Sequence, residues 1–132
     1  MSMRCLSIGI GFAISVTILV GCASTPERPL VQKGTIFMAS AERTREAAAD
    51  ALVVLGFEVK KIESTYVEGF HPRKVGLTEG SSGGETVGVW LETVDASTTR
   101  VLVRTAKSLA GSVGQKNWDN EIIAEMHTAL GN

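Results

Sequence analysis

Cysteine is scarce in this chain of 132 residues, which contains only Cys5 and Cys22. An excess of either charge is also missing, because 13 Lys and Arg side chains stand against 14 Asp and Glu. A nucleic-acid-binding domain needs a clear basic excess to neutralise phosphates, and this chain has none. The composition therefore argues against a nucleic-acid partner.

The start of the chain lacks an apolar run long enough for a stable membrane span. One positive charge, Arg4, precedes the uncharged and mostly apolar residues 6–20. A helix that crosses a bilayer core needs about 20 such residues. A short cationic start, an apolar segment and a small residue before a cleavage point are typical of a signal peptide. We therefore expect residues 1–21 to be removed.

The signal peptide ends in Leu19-Val20-Gly21-Cys22, which resembles the lipobox of bacterial lipoproteins. The resemblance implies that the peptidase recognises Leu19, Val20 and Gly21, and that the thiol of Cys22 forms a thioether with diacylglycerol. An Asp at position 23 would signal retention. Ala23 stands there instead, and in this the sequence resembles lipoproteins that are sorted to the outer membrane, with the domain in the periplasm. The alternative is a buried structural cysteine at the end of an uncleaved helix.

The mature chain would hold 111 residues, which is enough for one domain. Its 12 basic and 14 acidic side chains give a charge of about −2, and no thiol is left for a disulfide, a metal or catalysis. Residues 22–32, broken by Pro26 and Pro29, predict a tether of up to about 33 Å at ~3.3 Å per residue. Residues 33–132 form the predicted domain.

Hydrophobic periodicity predicts two helices and a set of strands in that domain. Ser40 and Gly56 are placed to begin and end a helix over 41–55, and Asn117 to cap a second over 118–130. The predicted strands are 57–62, with a bulge or a strand end at Lys61-Ile62, 66–71, 85–94, 98–106 and a short one over 33–38. This order predicts an α+β fold, in which an antiparallel sheet of four to five strands packs both helices on one face.

The other face of such a sheet is left to solvent or to a partner. The alternation of side chains along the strands places Trp90 and Leu102 on that face, together with either Tyr66 or Val67. Trp90 stands out, because an outward phase exposes a large aromatic side chain. We expect this face, or the glycine-rich loops, to bind another envelope component.

Two glycine-rich segments match catalytic or binding motifs on paper. Residues 80–84 read Gly-x-Ser-x-Gly around Ser82, but a nucleophile elbow needs a strand before it and a helix after it. Residues 111–114 resemble the GXXG loop of KH domains, although a predicted strand precedes them. Both segments are more typical of flexible loops. Lys116, close to the start of the last helix, could assist anion binding there.

A short basic cluster contains His71, Arg73 and Lys74, with Lys60 and Lys61 expected nearby across a hairpin. It could contact lipid headgroups or an anionic polymer, or it could be a solvated strand end. His71 and His127 lack the spacing of a zinc motif. We expect no metal, no cofactor and no catalytic residue.

The sequence thus predicts a non-catalytic, lipid-anchored binding or structural module of a bacterial envelope. Its expected partners are membrane lipid, through acylated Cys22, and an envelope protein. The alternative is a small periplasmic hydrolase, using Ser82 or His71, or a protein that binds a cell-wall polymer.

Overall fold

The computed structural model describes residues 26–72, 84–106 and 116–131. The signal peptide, Cys22, Arg73, Lys74, Ser82 and residues 111–114 lie outside these ranges. The described elements are, in order, a 3-10 turn (Val31–Lys33), β1 (Thr35–Phe37), α1 (Ala41–Val54), β2 (Glu58–Ile62), β3 (Tyr66–Pro72), β4 (Gly84–Asp95), β5 (Thr98–Thr105) and α2 (Asp119–Leu130).

The five strands form one antiparallel sheet in the order β1-β5-β4-β3-β2. Strands β2 to β5 follow one another as a meander, and β1 adds to the free edge of β5. Together with the two helices this architecture confirms the predicted α+β fold. The predicted bulge in the second strand is also present, between Val59 and Lys61.

The ends of α1 follow from local sequence signals. The Oγ of Ser40 accepts a hydrogen bond from the amide of Arg43 at 3.3 Å, as expected of an N-cap. At the other end Gly56 adopts a φ of +88°, and the amide of Phe57 donates to the carbonyl of Leu52 at 2.8 Å. These two features are a Schellman stop, because only a residue without a Cβ enters the left-handed region at little cost.

The hydrophobic core lies between the two helices and one side of the sheet. Leu52 of α1 and Met126 of α2 are fully buried, and so are Val67, Val87 and Val89 on the facing strands. Along β4 the side chains of Glu85, Val87, Val89 and Leu91 are buried at every second position, which is the period of a strand with one covered face, and Gly88 is buried beneath the rings of the other face. Apolar burial on this side of the sheet therefore fixes the register of the whole fold.

The start of α2 is joined to the end of β5 by side-chain hydrogen bonds. Oδ1 of Asp119 accepts from the amide of Thr105 at 2.7 Å and from its hydroxyl at 2.8 Å. The amide of Trp118 donates to the same hydroxyl at 2.9 Å. The helix begins one residue later than predicted, with Trp118 at the N-cap position, and the side chain of Asn117 accepts a hydrogen bond from the amide of Asp119 at 2.9 Å. The amide of Thr105 at the end of β5 thus binds the side chain of Asp119 at the start of the helix.

We call residues 26–34 the entry segment and the side of the sheet opposite the helices the open face. The entry segment lies against part of that face, because the guanidinium of Arg28 pairs with Glu92 of β4 and Pro26 is buried. Leu102 was expected to be exposed on this face, yet only 1% of it is accessible. A Cβ at Gly34 would lie 3.2 Å from Cδ2 of Leu102, so the entry segment supplies the cover.

Replacing Leu52 by Ala should lower the free energy of unfolding by about 2–5 kcal/mol, because the cavity lies where α1 meets the sheet. The neighbouring Val53 is 63% exposed, and Val53→Ala should change the stability by less than about 0.5 kcal/mol. Urea unfolding followed by circular dichroism measures both variants. Equal midpoints for the two variants would contradict the packing of α1 described above.

Candidate functional site

The open face is identified from the strand register. Residues on it are directly opposite one another across neighbouring strands, as in the row of Lys61, Glu68, Gly88 and Arg104. The face includes Ile36, Glu58, Lys61, Glu63, Tyr66, Glu68, Phe70, Gly84, Thr86, Gly88, Trp90, Glu92, Arg100, Leu102 and Arg104. The entry segment covers the part near Leu102, and the part on β3 and β4 carries three aromatic rings.

The rings of Tyr66 and Trp90 form a pair on neighbouring strands of the open face. Their centroids are 5.1 Å apart and their planes are tilted by 42°. Gly88 makes room for this pair, since a Cβ there would lie 2.6 Å from Cη2 of Trp90 and 3.0 Å from Cε2 of Tyr66. Both rings therefore lie low over the glycine instead of standing up from the sheet.

The ring of Phe70 lies over another glycine, Gly84, on the same face. Cζ of Phe70 would be 2.6 Å from a Cβ built at Gly84, so Phe70 also lies close to the backbone of β4. All three aromatic residues are half-buried. We call Tyr66, Phe70 and Trp90 the aromatic strip, a shallow apolar surface on which a partner can rest.

The hydroxyl of Tyr66 donates a hydrogen bond to the Glu68 carboxylate at 2.6 Å. Burial raises the pKa of Tyr66 well above its usual value, and the hydrogen bond to Glu68 and the negative charges of Glu68 and Glu63 raise the pKa further. The phenol is therefore neutral over the whole physiological range, and the tyrosine presents an apolar ring with one fixed polar end.

Ion pairs surround the aromatic strip. Glu92 binds both Arg28 and Arg100, the latter at 3.3 Å, and Lys60 pairs with Glu58 at 2.8 Å. By contrast, the exposed cations Lys61 and Arg104 have no ion pair within the part of the chain that the structure describes. They lie in one row with Glu68 and Gly88, and they leave positive charge beside the rings.

His71 and Lys116 meet at a different place, on the helix side of the sheet. The ring of His71 stacks on Trp118 with centroids 4.8 Å apart and lies edge-on to Phe57 at 5.1 Å. Nζ of Lys116 is 3.9 Å from the centroid of Trp118 and 2.8 Å from the Glu121 carboxylate. Lys116 therefore already has an ion pair, and His71 is held between rings instead of joining Lys60 and Lys61 in solvent.

A buried carboxylate lies beside this cluster. Glu85 is 4% exposed, is the cross-strand partner of His71, and accepts a hydrogen bond from the amide of Lys116 at 3.3 Å. Sequence reasoning missed it as a candidate, because a charged residue at the start of a strand is usually exposed, although the alternation of β4 puts Glu85 in phase with Val87. The structure shows that its phase is that of Val87 and Val89, on the core side.

A groove of about 460 Å³ lies at the outer edge of β5. Pro29 and Leu30 of the entry segment form one wall and Asn120 and Ile123 of α2 the other. Its floor includes Thr105, whose amide and hydroxyl are already bound to Asp119. The groove thus follows a sheet edge at which part of the hydrogen-bonding capacity is already used.

The structure places the sequence-predicted residues in three regions. Trp90 lies on the open face, His71 and Lys116 share the cluster on the helix side, and Arg73 and Lys74 fall outside the described ranges. Among the described residues, no three His, Cys, Asp or Glu side chains are placed to hold a metal ion. His127 lies apart from His71 and packs on Phe37, with centroids 4.5 Å apart.

Comparison of the chain with protein-family models gives no match, and comparison with curated proteins gives none either. In residues 26–72, 84–106 and 116–131, no helix combines the length and apolar character needed to cross a membrane.

The chain has a single tyrosine, so the ionisation of Tyr66 can be followed directly by the ultraviolet absorbance of its phenolate. We expect the folded protein to titrate above the value of about 10 seen for an unfolded chain. Because the unfolded state then loses the proton first, stability should fall as the pH rises above about 10.

The control for this titration is Glu68→Gln, which removes the carboxylate and its charge but leaves the burial of Tyr66. The midpoint should move part of the way back towards its usual value. A midpoint that is unchanged in Glu68→Gln would show that the tyrosine hydroxyl does not bind Glu68 in solution.

Proposed function

We propose that this protein is a lipid-anchored, non-catalytic module of a bacterial envelope that binds its partner through the open face. The observation that carries the proposal is the aromatic strip. Tyr66 and Trp90 lie low over Gly88 on the side of the sheet that the helices leave uncovered. Apolar rings grouped on a solvent-facing surface are typical of interaction sites.

The glycines strengthen this interpretation. A glycine inside a strand costs conformational entropy and gives no side chain to pack. Gly84 and Gly88 both lie in β4, and each leaves space for an aromatic ring on the same face. At Gly84 a Cβ would also lie 2.6 Å from the carbonyl oxygen of His71, so the backbone itself requires glycine there, whereas at Gly88 a Cβ would meet only the rings of Trp90 and Tyr66. The glycine at position 88 therefore favours a binding role for the strip.

The anchor in this proposal is Cys22, acylated after removal of residues 1–21. The lipobox Leu19-Val20-Gly21-Cys22 supports it, and Ala23 supports the outer membrane with the domain in the periplasm. The hydrolase alternative pairs His71 with a nearby carboxylate, and Glu85 is its cross-strand neighbour, but the half-buried ring of His71 is stacked on Trp118 and in edge contact with Phe57. A nucleophile or base needs a face open to substrate.

The anchor is tested by metabolic labelling with palmitate and by membrane fractionation. The chain offers a matched control, since Cys5 is its other cysteine. We expect Cys22→Ser to lose the label and to leave the membrane fraction, while Cys5→Ser keeps both. Label retained in Cys22→Ser, or absent from the natural sequence, would overturn the proposal.

A further inference from the structure

Building on the proposed lipid anchor, we infer that the open face lies flat on the anionic phospholipid surface into which Cys22 is inserted. The lipid surface is then the partner of the aromatic strip. Three independent features of the chain lead to this orientation: the reach of the anchor, the distribution of charge and the kind of aromatic residue exposed.

The anchor has a short reach, and it starts on the open face. Pro26 is buried and Arg28 pairs with Glu92, so the described chain begins against that face. Only three residues separate Cys22 from Pro26. Four steps of at most ~3.6 Å limit the distance between them to about 14 Å. The tether predicted over residues 22–32 would have allowed more than twice that distance.

This limit decides which side of the domain can meet the bilayer. To present its helices, the chain would have to run from Pro26 around a sheet edge and past a helix layer about 10–12 Å thick. The entry segment reaches that edge at Pro29 and Leu30, opposite Asn120 and Ile123 of α2, so presenting the helices would draw Pro26 and Arg28 off the open face. The open face, by contrast, is where the chain already lies, so docking through it needs no extra length.

Charge is separated between the two layers of the domain. With the paired side chains of Arg28 and Lys60, the open face has five basic groups against four acidic ones, Glu58, Glu63, Glu68 and Glu92. The two helices carry six acidic and only two basic side chains: Glu42, Arg43, Arg45, Glu46, Asp50, Asp119, Glu121 and Glu125. An anionic surface attracts the open face and repels the helices.

Two of the half-buried rings of the open face are of the kind that favours a lipid–water boundary. Tryptophan and tyrosine combine an apolar ring with a polar end and are enriched at the level of the headgroups. Trp90 and Tyr66 provide both on the open face, next to Lys61 and Arg104, which form no ion pair with any described residue. Rings at the boundary and cations among the phosphates are a combination typical of peripheral membrane contact.

The two tryptophans of the chain make a direct test possible, because Trp90 lies on the open face and Trp118 on the helix side. The acylated full-length product, with its lipid confirmed by mass spectrometry, is placed in vesicles of phosphatidylglycerol and phosphatidylethanolamine that contain a spin-labelled headgroup. Trp118→Phe then reports on Trp90, and Trp90→Phe on Trp118. We expect quenching of Trp90 and little of Trp118.

The electrostatic part is tested by neutralising cations in the Trp118→Phe background. Loss of each lysine or arginine near the surface should lower the docked fraction relative to the undocked one roughly fivefold. The double variant Lys61→Gln and Arg104→Gln should therefore lose most of the quenching, and added salt should have the same effect. The matched control is Arg43→Gln with Arg45→Gln on α1, which should quench like the parent.

The outcomes separate this inference from the proposed function. A preparation without the acyl chain overturns the proposed anchor itself. An acylated product in which Trp90 is quenched no more than Trp118 overturns the docking while the anchor stands. Equal quenching in phosphatidylcholine vesicles overturns the preference for anionic lipid. A photo-crosslinker at position 90 that captures a protein in whole cells, and not lipid, assigns the face to that protein.

Discussion

Burial of one face of the sheet by the two helices is the constraint on which the rest of the structure depends. Side chains alternate strictly along a strand, so burying Val87 and Val89 commits Gly88 and Trp90 to the opposite side. The same alternation aligns Tyr66 with Trp90 across β3 and β4. The aromatic strip is thus a geometric consequence of the core, and no residue of the strip could move to the other face without displacing a buried valine.

The sequence predicted those parts of the fold that depend on local signals. Ser40, Gly56 and the period-two alternation of β4 act within a few residues, and the structure follows each of them. The outward phase of Trp90 was predicted by the same argument. What sequence reasoning missed depends on contacts between distant segments: the cover over Leu102, the hydrogen bonds between Thr105 and Asp119, and the burial of Glu85. The first two have no local pattern that would reveal them, whereas the alternation along β4 already placed Glu85 in phase with Val87 and Val89.

The glycines show how a local observation acquires its meaning only from the fold. Within the sequence, Gly88 reads as a weak point in an otherwise strong strand. In the sheet it lies beneath two rings that belong to different strands, so its missing side chain is what allows them to lie low. This arrangement resembles the rescue of strand glycines by neighbouring aromatic residues, in which the ring replaces the packing that the glycine lacks.

The short distance between anchor and domain also explains how a modest charge difference could determine orientation. An excess of one positive charge on the open face would hold a free protein at a membrane only weakly. A domain that is already attached about 14 Å away has lost most of its translational freedom, and its effective concentration at the surface is high. Under that condition a small attraction needs only to favour one orientation over another. The acidic helices then reinforce the choice, because turning them towards the lipid would bring like charges together.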